Sequence, residues 1–186
     1  MRITGGEKRG LKLLSPKGVN IRPTSEKIRL AVFNILFQRI SDARFFDLCC
    51  GTGIMAMEAL SRGAEQAVLV DTSDESGRTV HRNLERSDFA SRAVFHRSDV
   101  VRFCRSMLLP VDQLSILYLD PPYRDVRLYR NVIRTVDQRA AGKQVILIVE
   151  HPTSLEVEGG PELAIRSTHH YGEKQITLFT SQTVVW

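Results

Sequence analysis

Phe45-Phe46-Asp47-Leu48-Cys49-Cys50-Gly51-Thr52-Gly53 decides the fold of this chain. A mostly apolar run, Phe45 to Cys49, ends in a turn with two glycines. Met55, Ala56, Ala59 and Leu60 then recur at helical spacing until Gly63. The pattern predicts strand, glycine turn, helix. An apolar strand without alternation belongs in a parallel sheet covered on both faces. The glycines allow close approach of backbone to a ligand, and the helix that follows presents an electropositive N-terminus. Position 56 is Ala, so the turn is not Gly-x-Gly-x-x-Gly, and it lacks the Lys-Ser/Thr of a phosphate loop. A tight turn between strand and helix accounts for it equally well.

The same alternation continues outward. Ala67 to Asp71 predicts a strand, Asp74 to Ser87 a polar helix with Val80 and Leu84 inward, and Ala93 to His96 a strand running to Ser98-Asp99. Val101 to Leu109 predicts a helix stopped by Pro110, and Ser115 to Leu119 a strand. A helix carrying Leu128 or Tyr129, Val132, Ile133 and Val136 leads to the strand Val145 to Glu150. Residues 163–170 and 175–180 read as an antiparallel pair separated by Tyr171-Gly172-Glu173-Lys174. Upstream, Ile28, Ala31, Val32, Ile35 and Leu36 mark a helix capped by Thr24 or Ser25, with Pro23 before it. Residues 1–20 are short apolar patches broken by glycines and predict a hairpin-like arm. The fold class is therefore α/β, a Rossmann-like, mostly parallel sheet with an antiparallel C-terminal strand pair and a short basic N-terminal β arm. The arm is placed at 1–24 and the main domain at 25–186, one globular unit overall.

In such sheets ligands bind outside the C-terminal strand ends. Each predicted strand of the series ends there in an acid: Asp47, Asp71, Asp99, Asp120 and Glu150. Asp71 lies where an acid can accept both hydroxyls of a ribose, and Asp99 where one can accept from an adenine amine. A helix cap explains either residue alone. Together with the glycine turn they describe one adenosine laid across the strand ends. Asp120-Pro121-Pro122-Tyr123 is the most specific stretch. Two prolines end the strand and fix the carbonyls around them. A carboxylate, a rigid carbonyl and an aromatic face then meet, an arrangement that holds a flat, amine-bearing ring. Hydrogen bonds to such an amine localise its lone pair, and Asp120 can take the proton it releases. A base in folded nucleic acid has to leave its stack to enter.

At 186 residues, 42% hydrophobic and 25% charged, the chain is an ordinary globular domain. No apolar run reaches the length of a membrane span, and Met1 to Gly6 lacks the apolar core of a secretory signal, so a cytoplasmic protein is expected. The net charge is +5, and residues 1–29 hold eight Lys/Arg against two acids. A second cluster, Arg124, Arg127, Arg130, Arg134 and Arg139, follows the prolines. Such charge suits an anionic partner, nucleic acid first, or a solvated basic surface. Cys49, Cys50 and Cys104 lack metal-ligand spacing, as do the five histidines, and no metal is expected.

Asp47-x-x-x-Gly51-x-Gly53 and Asp120-Pro121-Pro122-Tyr123 resemble the cofactor turn and the amine-methylating motif of class I S-adenosylmethionine-dependent methyltransferases. More narrowly the chain resembles the RsmD family, bacterial 16S ribosomal RNA guanine-N2-methyltransferases. Met1-Arg2-Ile3 with Gly5 and Gly10, Arg22-Pro23-Thr24 with Phe33 to Leu36, Glu58 to Ala64, and Glu150-His151 carry that likeness over nearly the whole chain. Cys49-Cys50 and Lys174 depart from the family's usual residues. The resemblance implies S-adenosylmethionine as methyl donor, with Asp47, Gly51, Gly53 and Asp71 at its methionyl and ribose parts, Asp99 at its adenine, and Arg22 and Thr24 over its methyl end. It implies that Asp120 and the Pro121 carbonyl hold the guanine amine, that Pro122 keeps the turn rigid and that Tyr123 stacks on the base. Arg2, Lys8, Arg9, Lys12, Arg22, Arg124 and Arg127 are expected on the RNA. The partner implied is 16S rRNA or an assembling 30S subunit, the protein a monomer, and the transfer a direct displacement.

Two other readings stay open on the sequence. A DNA amino-methyltransferase can carry the same tetrapeptide, but the chain has no obvious room for a sequence-reading domain. A ribosome-assembly or RNA-binding protein can keep the fold without turnover, but the intact tetrapeptide and strand-end acids argue against it.

Overall fold

The computed structural model describes residues 1–15, 25–122 and 125–185. Five strands run parallel: β1 (Arg44–Leu48), β2 (Gln66–Asp71), β3 (Ala93–Arg97), β4 (Ser115–Leu119) and β5 (Val145–Pro152). Antiparallel β6 (Leu163–Tyr171) and β7 (Lys174–Ser181) complete one sheet of order β3-β2-β1-β4-β5-β7-β6. The helices are α1 (Glu26–Leu36), α2 (Ile54–Ser61), α3 (Asp74–Ser87), α4 (Val100–Ser106) and α5 (Val126–Ala140). The chain winds outward from β1 to β3, then crosses back to β4 on the other side of β1. The strand ends of β1 and β4 therefore flank the point where the winding reverses, the usual ligand crevice of this architecture.

Strand alternation divides the core in two. Phe45, Tyr118 and Ile148 pack with α1, α2 and α3 through Val32, Met57 and Val80. Phe46, Leu117 and Leu147 pack with α4 and α5 through Cys104, Val132 and Val136. Burying each of the larger side chains contributes about 1.5–3 kcal/mol. Ser25 caps α1, its Oγ accepting from the Ile28 amide at 3.3 Å.

Several boundaries differ from those expected. Helix α4 stops at Ser106, because Pro110 has no N–H to give and its ring conflicts with the carbonyl four residues back. Leu108 is left 78% exposed. Strand β3 is an edge with Val94 exposed, so it is not covered on both faces. Strand β5 continues to Pro152 because β7 pairs alongside, Pro152 opposite Lys174. The β6–β7 turn is Gly172-Glu173 alone, with Gly172 at φ 67°. Among its described residues, 1–15, the arm has one antiparallel bridge, Arg2 opposite Lys12, instead of two regular strands. The amide of Ile3 bonds the Leu11 carbonyl at 3.0 Å, and that of Leu13 the Met1 carbonyl at 3.0 Å. Ile3 and Leu13 enter the core under α2 and α3.

Candidate active site

The glycine turn is built by main-chain groups. Cys49, Gly51 and Gly53 have φ of 67°, 53° and 75°, three left-handed residues in five. At Cys49 that conformation costs about 1–2 kcal/mol, which the surrounding bonds must offset. The Cys50 amide bonds the Val70 carbonyl at 2.9 Å, and the Gly53 amide bonds the Cys50 carbonyl at 2.8 Å. Gly53 is also tight: a Cβ there would meet Leu69 Cδ2 at 2.8 Å. As N-cap of α2 it offers no side chain. Asp47 supplies the missing acceptor from the strand, its Oδ2 taking the Ala56 amide at 3.1 Å.

Asp47 and Asp71 meet at this turn, and Asp99 lies further out, past the end of β3. Asp47 is 2% exposed. Burial pushes its carboxyl well above the usual carboxylate range; the Ala56 bond opposes this, and the charges of Asp120 and Asp71 add to it. Asp71 accepts from the Gly51 amide at Oδ2 (2.9 Å) and from the Ser73 amide at Oδ1 (2.9 Å), tying the β1 turn to the end of β2. Asp99 is exposed and caps α4, its Oδ1 taking the Arg102 amide at 2.8 Å. An ionised carboxylate has about four acceptor sites, so neither role prevents a further bond. Burial also pushes the thiols of Cys49 and Cys50 up, and that of Cys104 to about 12. All three are free cysteines.

At the end of β4, Asp120 is half-buried, Pro121 buried and Pro122 exposed. Leu119 at this end lies beside Leu48, so the tetrapeptide adjoins the glycine turn. Tyr129, buried on α5, donates its hydroxyl to the Pro121 carbonyl at 3.3 Å. Sequence periodicity gives Tyr129 only a packing role; nothing in the spacing reveals the bond. Asp125 caps α5 by accepting from the Leu128 amide at 3.0 Å. Tyr123, Arg124, Arg22 and Thr24 lie outside the described residues.

The basic residues fall on two sides of the sheet. Arg2, Arg9 and Lys12 are exposed on the arm, and the Lys8 ammonium lies 5.9 Å from the Phe89 ring centroid. Arg127 is exposed on the first turn of α5, across the sheet from the arm. Glu58 and Asn83 are among the buried residues that fasten the arm, and both escape a reading by periodicity. Glu58, 0% exposed on α2, accepts from Thr4 N (2.7 Å), Thr4 Oγ1 (2.8 Å) and Arg62 Nε (3.2 Å), and lies 3.5 Å from Arg29 Nε. Asn83 on α3 accepts from the Leu14 amide at 2.8 Å and donates to the Leu14 and Thr52 carbonyls, each at 3.1 Å. It therefore joins the arm to the glycine turn. The one visible signal was an acid within the apolar run of α2. Among the described residues, no group of His, Cys, Asp and Glu is placed to hold a metal ion. No helix among them is long and apolar enough to cross a membrane.

Residues 1–180 match the family described as conserved hypothetical protein 95. The Escherichia coli protein named ribosomal RNA small subunit methyltransferase D is 31% identical over 160 residues, 86% of this chain and 77% of that one. The chain belongs to the RsmD family. Another relative, YlbH of Bacillus subtilis, described as a candidate rRNA methyltransferase, is 27% identical over 180 residues, 96% of this chain and 98% of that one. Among solved structures, the Escherichia coli candidate methyltransferase yhhF superimposes with a TM-score of 0.85 at 25% identity, covering 99% of both chains. The Rossmann-like α/β class expected from the alternating strands and helices is thus the observed one.

Proposed function

We propose that this RsmD-family chain transfers a methyl group from S-adenosylmethionine to the exocyclic N2 amine of a guanine in 16S ribosomal RNA. The observation that carries the proposal is the pairing of β1 with β4, Leu48 beside Leu119, which sets the Asp120-Pro121 acceptors next to the glycine turn. Family membership and the relatives' names support ribosomal RNA methylation. Guanine, its N2 position and the 16S or 30S partner rest on the likeness to that family.

The residues present fit the donor. The turn leaves no space for a side chain at Gly53, and the acids at the C-terminal ends of β1 and β2 suit an amine and a pair of ribose hydroxyls. In this reading Asp47, Gly51 and Gly53 hold the methionyl part, Asp71 the ribose, Asp99 the adenine amine through its second oxygen, and Thr24 with Arg22 the methyl end. Bound there, S-adenosylmethionine supplies an electrophilic methyl group on a sulfonium. Asp120 and the Pro121 carbonyl accept the two N–H groups of the guanine amine and keep its lone pair off the ring. Asp120 receives the proton that leaves the nitrogen. Pro122 holds the turn and Tyr123 stacks on the extruded base. Arg2, Lys8, Arg9 and Lys12 of the 1–24 arm, with Arg124 and Arg127 of the 25–186 domain, neutralise phosphates. The protein acts in the cytoplasm as a monomer, and no metal takes part.

Mass-spectrometric mapping of 16S rRNA, incubated with protein and donor as naked RNA and as 30S particles, tests this. The expected result is one new N2-methylguanine, absent with Asp120→Ala although that variant still binds donor. Methylation of duplex DNA in place of either ribosomal substrate would overturn the target. Full turnover by Asp120→Ala would overturn the chemistry.

A further inference from the structure

The proposed methyl transfer makes no use of a charged cluster beside the tetrapeptide. Glu150 on β5 is 0% exposed. Its Oε2 accepts from the Tyr118 hydroxyl and its Oε1 from the Lys174 ammonium. The register places the cluster. One residue beyond the paired Leu119 and Val149 come Asp120 and Glu150. On the far side, Pro152 of β5 lies opposite Lys174 of β7. Tyr118 and Asp120, two apart on one strand, face the same side of the sheet as Glu150. Wholly buried, Glu150 has no access to a substrate. The Lys174 side chain is 17% exposed and opens at the rim. A buried ion pair adds little stability over an apolar pair of similar size, so stability alone is a weak reason for this one. What Glu150 achieves is to hold an ammonium group one strand away from Asp120.

Guanine carries its 2-amino donor and its 6-oxo acceptor at opposite ends of one edge. With the amine on Asp120 and the Pro121 carbonyl, the other end of that edge points along the strand ends or away from them. Adjacent strands are about 4.8 Å apart, a spacing that suits a base edge laid from β4 towards β5. We propose that Lys174 is a specificity-determining residue: its ammonium, aligned by Glu150, reads the 6-oxo group of the target base. A 6-amino purine would point a donor at a cation there and be refused. This inference rests on the guanine reading above.

The test compares 30S particles reconstituted with guanine or with 2-aminopurine at the mapped position. 2-Aminopurine keeps the 2-amino group and lacks both the 6-oxo group and the N1 proton, so the comparison of wild type with Lys174→Met isolates the part that Lys174 reads. Losing one such contact corresponds to roughly 5- to 150-fold in kcat/KM, so the wild type is expected to favour guanine by that factor. Lys174→Met is expected to lower the guanine rate to that of 2-aminopurine and leave the latter unchanged. Because Lys174→Met leaves a buried carboxylate behind, Glu150→Gln/Lys174→Met is made alongside it, which removes the charge while keeping an acceptor for Tyr118. A folded double variant that retains the wild-type preference overturns the inference, as does a wild type that methylates both bases equally. A wild type that methylates neither overturns the guanine reading itself.

Discussion

Glu58→Gln is expected to loosen the arm. Glutamine can keep an oxygen at Oε1 for Thr4 N and Oγ1, which lie 2.7 and 2.8 Å away. It then sets an amide donor where Oε2 faces Arg62 Nε at 3.2 Å, and it removes the charge 3.5 Å from Arg29 Nε. Both arginines sit close to Glu58 in the interior, Arg29 buried and Arg62 half-buried. Losing one charge-assisted bond costs about 1.5–3 kcal/mol, and stripping one partner from a buried pair costs about 3–5. Two of the bonds survive, so the loss is put at about 2–3 kcal/mol. With a urea slope of about 2 kcal/mol/M, the unfolding midpoint falls by about 1–1.5 M. Circular dichroism in urea measures it. Limited proteolysis should then cut the variant within residues 1–15 sooner than the wild type, and RNA affinity should fall while donor affinity holds. A midpoint within about 0.2 M of the wild type would refute the view that Glu58 helps to fasten the arm.

Asp47→Asn is expected to be more stable than the wild type near neutral pH. A carboxyl whose folded pKa is raised stabilises fully below its unfolded pKa, and that stability is lost as pH rises through the folded value. The gap between variant and wild type should therefore open with rising pH and close in acid, in urea titrations; donor affinity should fall. The same sign holds for Cys104, raised from 9.0 to about 12. Relative to Cys104→Ala, the wild type should lose about 2–3 kcal/mol between pH 8 and pH 11, at 1.36 kcal/mol per unit; parallel curves would count against it. Tyr129→Phe should lower single-turnover methylation about 5- to 10-fold, with about 1 kcal/mol of stability, because the Pro121 carbonyl loses its fixed donor. Unchanged turnover would leave that bond a purely structural one.

Periodicity located every strand and helix of the sheet because burial on one or both faces writes itself into residue order. Helix α3 begins at Asp74 and ends at Ser87 as expected, with Val80 and Leu84 inward. It failed where a neighbour outside the segment decides. Strand β5 runs on past Glu150 where β7 lies beside it, and among the described residues β3 is the edge strand of the sheet, with Val94 exposed. The glycine turn was legible as a turn between strand and helix, and the tetrapeptide as the end of a strand; the ligands assigned to them are proposals. Asp99 shows the limit: the α4 cap that explained it in isolation is what the structure displays, and an acceptor role remains a proposal. The bonds that Glu58, Asn83, Tyr129 and Lys174 make were not legible in the sequence. Each acts across 8 to 69 residues of sequence, and no local pattern encodes such a partner.

Asn83 grips the arm by the main-chain N–H and C=O of Leu14, not by its side chain. Any residue except proline at position 14 offers the same two groups. The arm's outward side chains are thus free to drift among relatives, or to be exchanged by design, with its seat against the glycine turn unaltered. Retargeting by arm exchange should tolerate almost any sequence at position 14, and none at position 83.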